Sequence, residues 1–381
     1  MRETEGVKEA RRELEICNAC RYCEGFCAVF PAMTLRREFS GGDLSYLANL
    51  CHNCRGCYYA CQYAPPHEFG LNLPQTLAQV RAETYEEYAW PRPLAGLFRR
   101  NGTVVSLAAA LLIALVLIGT MALQDPEVLY RPQLGPGAFY RVIPWWLMVL
   151  LAGGTFLYAL LALAMGARNF WRDTGGRARA IGEARPLAKA LHDVLTLRNL
   201  GGGGGGCNDR DGDFSDARRR FHHLMFYGFL LCFASTTTAT FYDHHMGHPA
   251  PYPFWSLPVQ LGTWGGLGMV VGTVGLLWLK VTGDQAPAAR NLLGADYALL
   301  VLLFLTAATG LLLLGLRGTG GMGVLLAVHL GVVLALFLVL PYSKMVHAVY
   351  RSAALLRNAL EVERERRAKT AEKALQGELR Q

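Results

Sequence analysis

The sequence predicts a mainly α-helical protein in two parts: a cysteine-rich N-terminal domain and a polytopic helical membrane bundle of about six spans. Two observations support this fold class. Eight of the ten cysteines lie in the first 61 residues, which are polar. From residue 103 onward, long apolar segments follow one another. A chain of 381 residues is also too long for one small domain, so we expect separate units.

Two cysteine runs share the spacing C-x2-C-x2-C-x3-C. This repeat is typical of a ferredoxin-like domain with two [4Fe-4S] clusters, in which the fourth cysteine of each run ligates the neighbouring cluster. The first cluster is then assigned to Cys17, Cys20, Cys23 and Cys61. The second is assigned to Cys51, Cys54, Cys57 and Cys27. The proline that follows the fourth cysteine in bacterial ferredoxins is missing, and Ala28 and Gln62 take its place.

Zinc is the alternative use of these cysteines, because sites made of four thiolates also use C-x2-C hooks. Zinc hooks usually come as two-cysteine knuckles that lie well apart, so two compact runs favour clusters. A disulfide framework is disfavoured, since residues 1–15 are rich in Arg, Lys and Glu and lack the apolar run of a secretory signal. We therefore expect clusters in a reducing cytoplasm.

Six segments are long and apolar enough to cross a bilayer of roughly 30 Å. They cover approximately residues 103–123, 142–166, 220–241, 259–280, 296–316 and 322–341. Segments 167–219 and 342–381 are rich in Arg and Lys, whereas 242–258 has none. The positive-inside rule therefore predicts a bacterial inner-membrane protein with both termini in the cytoplasm. The net charge of +8 is explained by these flanks, and we expect no nucleic-acid partner.

The predicted domain boundaries follow from this pattern. We expect a cluster domain at 1–70, a linker at 71–102, a membrane domain at 103–350 with a cytoplasmic loop at 167–219, and a C-terminal helix at 351–381. The glycine run 201–206 favours a flexible linker, and the alternative is a close approach of its backbone to a cofactor or partner. Mixed charges predict that the C-terminal helix is solvated.

Histidines at the ends of the third and sixth spans predict haem. His222 and His223 begin the third span, and His347 ends the sixth at the same expected depth. Two facing histidines at equal depth can hold a haem iron from both sides. We expect His223 and His347 to hold an inner haem, with His222 as the alternative to His223. Lys344 and residues 218–220 could pair with haem propionates or simply flank the membrane.

The opposite ends of the same spans suggest a second haem. His244 and His245 end the third span, and His329 lies inside the sixth, where an imidazole is costly without a partner. His329 and His347 are eighteen residues apart, so a continuous helix would present both on one face, unless Pro341 between them kinks it. The prediction is therefore one or two b-type haems, with His245 and His329 in the second. The alternative is that these histidines are interfacial polar residues.

Several further motifs carry a family resemblance. Residues 197–209 read L-R-N-L-G-G-G-G-G-G-C-N-D, residues 218–236 read R-R-R-F-H-H-L-M-F-Y-G-F-L-L-C-F-A-S-T, and residues 250–254 read A-P-Y-P-F. With the cysteine runs, they make the whole chain resemble the tricarballylate or citrate utilization protein B family. The architecture is also similar to the C-terminal half of a cobalamin-pathway fusion protein. The segment P-Y-S-K-M-V-H at 341–347 is similar to the haem-binding end of nitrate reductase gamma-type subunits.

The resemblance implies an electron shuttle. In this family, a separate FAD-dependent dehydrogenase oxidises tricarballylate to cis-aconitate, and the membrane partner passes its electrons to the quinone pool. The sequence agrees in one respect, because no G-x-G-x-x-G follows a predicted strand. Two other functions are retained as alternatives: electron transfer from quinol to a soluble acceptor, as in heterodisulfide-reductase-like complexes, and a zinc-stabilised membrane sensor or transporter.

Overall fold

The computed structural model describes residues 2–378, and 75% of it is helical. Within that range the only β-type pairing is a single bridge between Cys207 and Ser215. The predicted mainly α-helical fold class is therefore confirmed.

The cysteine domain contains five helices. They are α1 (Glu5–Cys20), α2 (Val29–Thr34), α3 (Gly41–Leu50), α4 (Gly56–Tyr59) and α5 (Leu73–Tyr88). Helix α1 begins after Thr4, whose hydroxyl accepts a hydrogen bond from the backbone nitrogen of Val7 at 3.2 Å. It ends because Arg21 adopts a left-handed conformation, with φ of 56°. This turn directs the chain from Cys20 into the rest of the first cysteine run.

Six helices in the described part of the chain are long and apolar enough to cross a membrane. They cover Arg92–Leu123, Trp145–Asp173, Ala217–Met246, Leu257–Thr282, Arg290–Leu316 and Met322–Tyr342. Each of them overlaps one predicted span, so the predicted number of spans is confirmed. By helix length and composition, the chain is a multi-pass membrane protein.

Regular α-helices make up most of each span, and further helices lie mostly between or after the spans. The regular α-helical parts of the spans are α6 (Asn101–Leu123), α10 (Gly154–Asp173), α12 (Ala217–Met246), α13 (Leu257–Thr282), α14 (Leu293–Leu316) and α15 (Met322–Val339). The other helices are α7 (Pro126–Tyr130), α8 (Ala138–Val142), α9 (Trp145–Met148), α11 (Ala184–Leu195) and α16 (His347–Glu378). A π-helical turn at Val149–Gly153 joins α9 to α10.

Helices α12 and α13 pack closely because glycines line their interface. A Cβ atom at Gly228 would lie 2.7 Å from the carbonyl oxygen of Gly265. A Cβ atom at Gly265 would in turn lie 2.8 Å from the backbone nitrogen of Cys232. Small residues of this kind let two membrane helices approach until their backbones touch. The contact fixes which face of α12 points into the bundle.

The helical structure is interrupted between the sixth span and the C-terminal helix. Helix α15 ends at Val339, and two short 3-10 turns, Leu340–Tyr342 and Lys344–Val346, precede α16. Pro341 lies in the first turn, and Ser343 between the turns is extended. The expectation of one helix that presents His329 and His347 on the same face is therefore wrong, because the two residues belong to different helices.

The first half of α16 packs on the cysteine domain. Tyr350, Leu355 and Leu360 are buried in the same apolar core as Leu14 and Leu47 of that domain. Every residue from 366 to 376 is exposed, whereas most residues of the helix before 361 are buried or half-buried. The predicted solvated helix is thus confined to this later part, and the earlier part connects the cysteine domain with the bundle.

Candidate functional site

The structure brings the cysteines together in two groups of four. The first group lines a cavity of about 210 Å³ and consists of Cys17, Cys20, Cys23 and Cys61, with Cys57 also at its wall. The neighbouring thiols in the second group are Cys27, Cys51, Cys54 and Cys57. These are the two sets that the spacing predicts, with the fourth cysteine of each run placed beside the other run. Cys57 belongs to the second group and borders the cavity of the first, so the groups are adjacent.

Burial disfavours ionisation of the free thiols and so raises their pKa values. It raises the pKa of Cys17 to about 12 and that of Cys23 to about 11, and neighbouring thiols add to both shifts. The pKa of Cys57 is raised well above its ordinary value for the same reasons. Thiolates are therefore stable here only beside a cation, so binding of a metal group must release protons.

The thiol groups are too widely spread for a single ion. Within residues 2–378, no three His, Cys, Asp or Glu side chains are close enough together to hold one metal ion. A cubic cluster separates its four thiolates more widely than one tetrahedral zinc does. Groups of four thiols, the first of them around a cavity, therefore fit iron–sulfur clusters.

The glycine loop packs against the second cysteine group. The backbone nitrogen of Asn208 donates to the carbonyl oxygen of Cys54 at 2.8 Å. A Cβ atom at Gly203 would lie 3.1 Å from the carbonyl oxygen of Gly25, so a side chain there would push the loop away. The expectation of a flexible linker is therefore wrong, and its alternative, a close backbone approach, describes the loop.

Arg218 attaches the start of α12 to the same cysteine run. Its Nη1 donates to the carbonyl oxygen of Asn53 at 2.6 Å, and its Nε pairs with Asp209 at 3.1 Å. Cys207, which is fully buried nearby, donates from Sγ to the carbonyl oxygen of Leu200 at 3.1 Å. Arg218 is thus held by Asn53 of the second cysteine run and by Asp209, so it does more than flank a membrane span.

The end of the bundle that faces the cysteine domain is called the cluster-side end. Here the ring centres of His222 and His347 lie 6.3 Å apart, with the rings nearly perpendicular at 83°. Nδ1 of His347 is 2.6 Å from the carbonyl oxygen of Lys344, so it carries the proton and Nε2 keeps its lone pair. Nδ1 of His222 is buried without a hydrogen-bond partner.

This pair fits a single iron held from both sides. An iron about 2 Å from one nitrogen of each ring would separate the ring centres by about 6 Å. His223, which we expected to pair with His347, instead packs its ring on Tyr227 at 5.9 Å. Adjacent helical residues point about 100° apart, so only one of the two can face the bundle interior. The structure places His222 in that position.

A cationic cavity of about 180 Å³ surrounds the histidine pair and extends to the second cysteine run. Its wall contains six cationic and two acidic residues: Arg55, Arg81, Arg218, Lys280, Lys344, Arg351, Asp209 and Asp296. Asp296 pairs with both Lys280 and Lys344. The excess of positive charge suits an anionic group such as the propionates of a haem.

His52 connects this cavity directly to a cluster ligand. It follows Cys51 in the chain, lines the cavity and places Nδ1 2.8 Å from the carbonyl oxygen of Leu50. From the sequence alone, His52 could tune a neighbouring cluster or lie in an exposed loop, and its half-buried position in the cavity wall disfavours the exposed loop. The sequence analysis did not single out Asp296, although an acidic residue at the start of an apolar span was the available signal.

The opposite end of the bundle is called the far end, and its histidines do not meet. Nδ1 of His329 lies 2.9 Å from Oγ1 of Thr309 inside the bundle. His244 packs on Trp145 and His245 stacks on Phe241, with ring centres 4.8 and 4.9 Å apart. Both are exposed. The predicted approach of His245 to His329 is therefore not observed.

The fold and the site define a multi-pass membrane protein with a ferredoxin-type, cysteine-rich domain. Residues 10–87 match the family model of the citrate utilization protein B Fer4-like domain, and residues 96–371 match that of citrate utilization protein B. The chain belongs to the citrate utilization protein B family. It is 48% identical over 369 residues to citrate utilization protein B of Escherichia coli, covering 97% of this chain and 96% of that protein.

No solved structure matches the chain. The family membership confirms the resemblance predicted from the sequence motifs. A Fer4-like domain suggests iron–sulfur clusters, and this fits an iron–sulfur electron-transfer role.

Proposed function

We propose that the protein is the membrane redox subunit of a flavin dehydrogenase system. In this proposal, electrons pass from the reduced flavin of a separate FAD-dependent dehydrogenase, through two [4Fe-4S] clusters and a b-type haem, to the quinone pool. One observation carries the proposal: His52, Asn53 and Arg55, which lie between cysteines of the second run, line the same cavity as the His222–His347 pair. A redox route needs such a continuous series of sites, whereas a zinc-stabilised sensor does not.

The order of the sites follows from their exposure. In the first cysteine group, Cys20 is exposed and the neighbouring Tyr22 is 70% exposed. In the second group, Cys54 is buried between the glycine loop and the bundle. The first group therefore faces the surface where a soluble flavoprotein can dock, and the second group lies next to the bundle.

The chain's own residues would hold the haem. His222 and His347 would hold its iron, and the cations of the cavity wall, such as Lys280, Lys344 and Arg351, would neutralise its propionates. A haem with two histidine ligands transfers single electrons and has no open position for oxygen. The carbonyl of Lys344 fixes the tautomer of His347 and so aims Nε2 as a ligand.

We expect the organic acid substrate to bind to the partner dehydrogenase. The name of the Escherichia coli relative concerns citrate utilization, and the family resemblance implies oxidation of tricarballylate to cis-aconitate. We therefore propose that the dehydrogenase acts on a tricarboxylic acid of this type. The Arg- and Lys-rich segments 167–219 and 342–381 support a cytoplasmic location for the cysteine domain in a bacterial inner membrane.

Metal analysis with spectroscopy tests the cofactors. We expect the anaerobically purified protein to contain about eight cluster irons and one haem per chain, with sharp reduced haem bands after dithionite and cluster EPR signals. Haem should be quantified separately from total iron, and zinc should be measured in the same sample. A colourless protein with zinc and no iron would refute the proposal.

A kinetic experiment tests the partner. The flavin dehydrogenase is reduced with tricarballylate and mixed anaerobically with the membrane protein in nanodiscs. We expect reduction of the clusters and haem within the turnover time of the dehydrogenase. Reduction by dithionite but not by the reduced flavoprotein would show that the electron donor has been assigned wrongly.

A further inference from the structure

The far end of the bundle encloses a second cavity of about 410 Å³, between α12, α13, α14 and α15. Aromatic residues of its wall are Phe229, Phe233 and Phe337. Phe233 and Thr236 line the cavity and are also exposed on the bundle surface, within a helix of membrane-spanning length. A lipophilic molecule in the bilayer can therefore reach this cavity sideways.

The hydroxyl groups of the wall already have acceptors. Ser235 donates to the carbonyl oxygen of Pro258 at 2.7 Å. Thr236 and Thr306 donate to carbonyl oxygens one turn earlier, at 3.3 and 2.8 Å. These hydroxyls do not need a ligand to satisfy their protons.

His329 differs, because its hydrogen bonds leave one nitrogen for a ligand. Thr309 donates its proton to the carbonyl oxygen of Leu305 at 2.7 Å, so its Oγ1 must accept from Nδ1–H of His329 at 2.9 Å. A neutral imidazole has one ring proton, and Nε2 therefore keeps a lone pair. The His329 ring lines the cavity. An imidazole at this depth of a span requires a polar partner.

The cavity does not offer a second histidine for a bis-histidine haem. His244 and His245 pack on Trp145 and Phe241 and are absent from its described wall. An occupant that enters from the bilayer is lipophilic, the phenylalanine rings of the wall suit a planar ring, and Nε2 favours a hydrogen-bond donor. A quinol head group meets these three conditions.

We propose that the far-end cavity binds the quinone and quinol head group, with Nε2 of His329 accepting a hydrogen bond from one quinol hydroxyl and Phe229, Phe233 and Phe337 packing around the ring. This site deepens the proposed function and rests on it. Reduction of the quinone consumes two electrons from the proposed route and two protons from water, and it yields the quinol whose hydroxyl donates to Nε2.

The far-end cavity and the cluster-side cavity border the same apolar cluster. Met225 and Leu303 line the cluster-side cavity, Met269 and Leu336 line the far-end cavity, and all four belong to one apolar cluster. A layer of packed side chains separates the two cavities. The proposed donor and acceptor are therefore neighbours within the bundle.

Stopped-flow reoxidation tests the site. The protein in nanodiscs is reduced with stoichiometric dithionite and mixed with ubiquinone-1 or menadione while haem and cluster absorbance are followed. We expect the His329→Ala variant to reoxidise about tenfold more slowly at low quinone concentration, because a hydrogen bond of about 1.4 kcal/mol corresponds to this factor. Its haem and iron content should equal those of the wild type.

Two further variants make the result specific. Val333→Trp fills the cavity and keeps His329, so it should slow reoxidation similarly even if His329→Ala folds poorly. The control, His248→Ala, changes an exposed histidine outside the cavity wall and should leave the rate unchanged.

The possible failures are distinguishable. Wild-type rates in both His329→Ala and Val333→Trp would place the quinone elsewhere and overturn the site alone. Loss of a second haem in His329→Ala would identify His329 as a haem ligand and would also overturn it. A wild-type protein that contains its cofactors but is not reoxidised by either quinone would overturn the proposed function itself.

Discussion

The two ends of the bundle both carry histidines, yet they are built differently. At the cluster-side end, His222 and His347 face each other at 6.3 Å in a cavity with six cationic side chains. At the far end, His329 hydrogen-bonds to Thr309 beside a largely apolar cavity, and His244 and His245 lie outside it. Equal depth along two helices is therefore insufficient for a paired site, because the residues must also face each other.

The orientation at the cluster-side end comes from helix packing. Met225 and Gly228, three and six residues after His222, are buried in the contact of α12 with α13. Residues three or four apart share a helix face, so His222 is directed into the bundle. Substitution of His222 or His347 should thus affect the cluster-side end and leave the far end unchanged.

The largest expected effect is loss of haem in His222→Ala. Without one axial ligand, the variant should lose most of its haem absorbance, while the matched variant His223→Ala should retain it, because His223 packs on Tyr227. Haem quantification per protein measures the difference. The assignment of His222 would be contradicted if His223→Ala lost the haem and His222→Ala kept it.

The next effect concerns the buried charges of the cluster-side end. Asp296→Asn should lower the free energy of unfolding by about 3–5 kcal/mol, because Lys280 and Lys344 would lose their shared carboxylate. At the far end, Asp243→Asn replaces an acceptor for the hydroxyl of Tyr140 at 2.9 Å and should cost about 1 kcal/mol.

Denaturant unfolding in detergent micelles compares these two variants. Equal losses of stability at both ends would mean that Lys280 and Lys344, whose side chains are 29% and 35% exposed, are solvated well enough without the buried carboxylate of Asp296.

A smaller effect is expected in the glycine loop. Gly206 has φ of 107°, and a Cβ atom there would lie 2.6 Å from the carbonyl oxygen of Ser215. Gly206→Ala should therefore cost about 1–3 kcal/mol and reduce the iron content of the second cluster. Gly212→Ala is the control, since its φ is not positive and the space around it is open. Full iron content in Gly206→Ala would show that the loop does not support the cluster.

The smallest effect is expected where α16 leaves the core. Arg367 pairs with Glu183 at 3.0 Å, and their side chains are 58% and 35% exposed. Arg367→Ala should leave the free energy of unfolding essentially unchanged, because solvent screens an exposed ion pair. Thermal unfolding should give the same midpoint with and without the substitution. A large decrease would mean that the end of α16 also holds the cysteine domain on the bundle.

Local patterns in the sequence were sufficient for some features. Hydropathy located the six spans because each must be apolar over its own length. The repeated spacing grouped the cysteines as the structure places them, because cluster-binding loops are short and local.

Features that depend on tertiary contacts could not be predicted in this way. The choice between His222 and His223 depends on how α12 packs against α13. The role of the glycine loop depends on Cys54, which lies far away in the chain. Pro341 suggested a kink, but the full break before α16 depends on the docking of that helix on the cysteine domain.

The central claim is that electrons reach the His222–His347 site through the second cysteine group. The most direct test uses Cys54→Ala, with the reduced flavoprotein as the donor and haem reduction followed by stopped flow. We predict that the haem stays oxidised on the turnover timescale but is still reduced by dithionite, which shows that it is present. Reduction of the haem at the wild-type rate by the flavoprotein would contradict the proposed route.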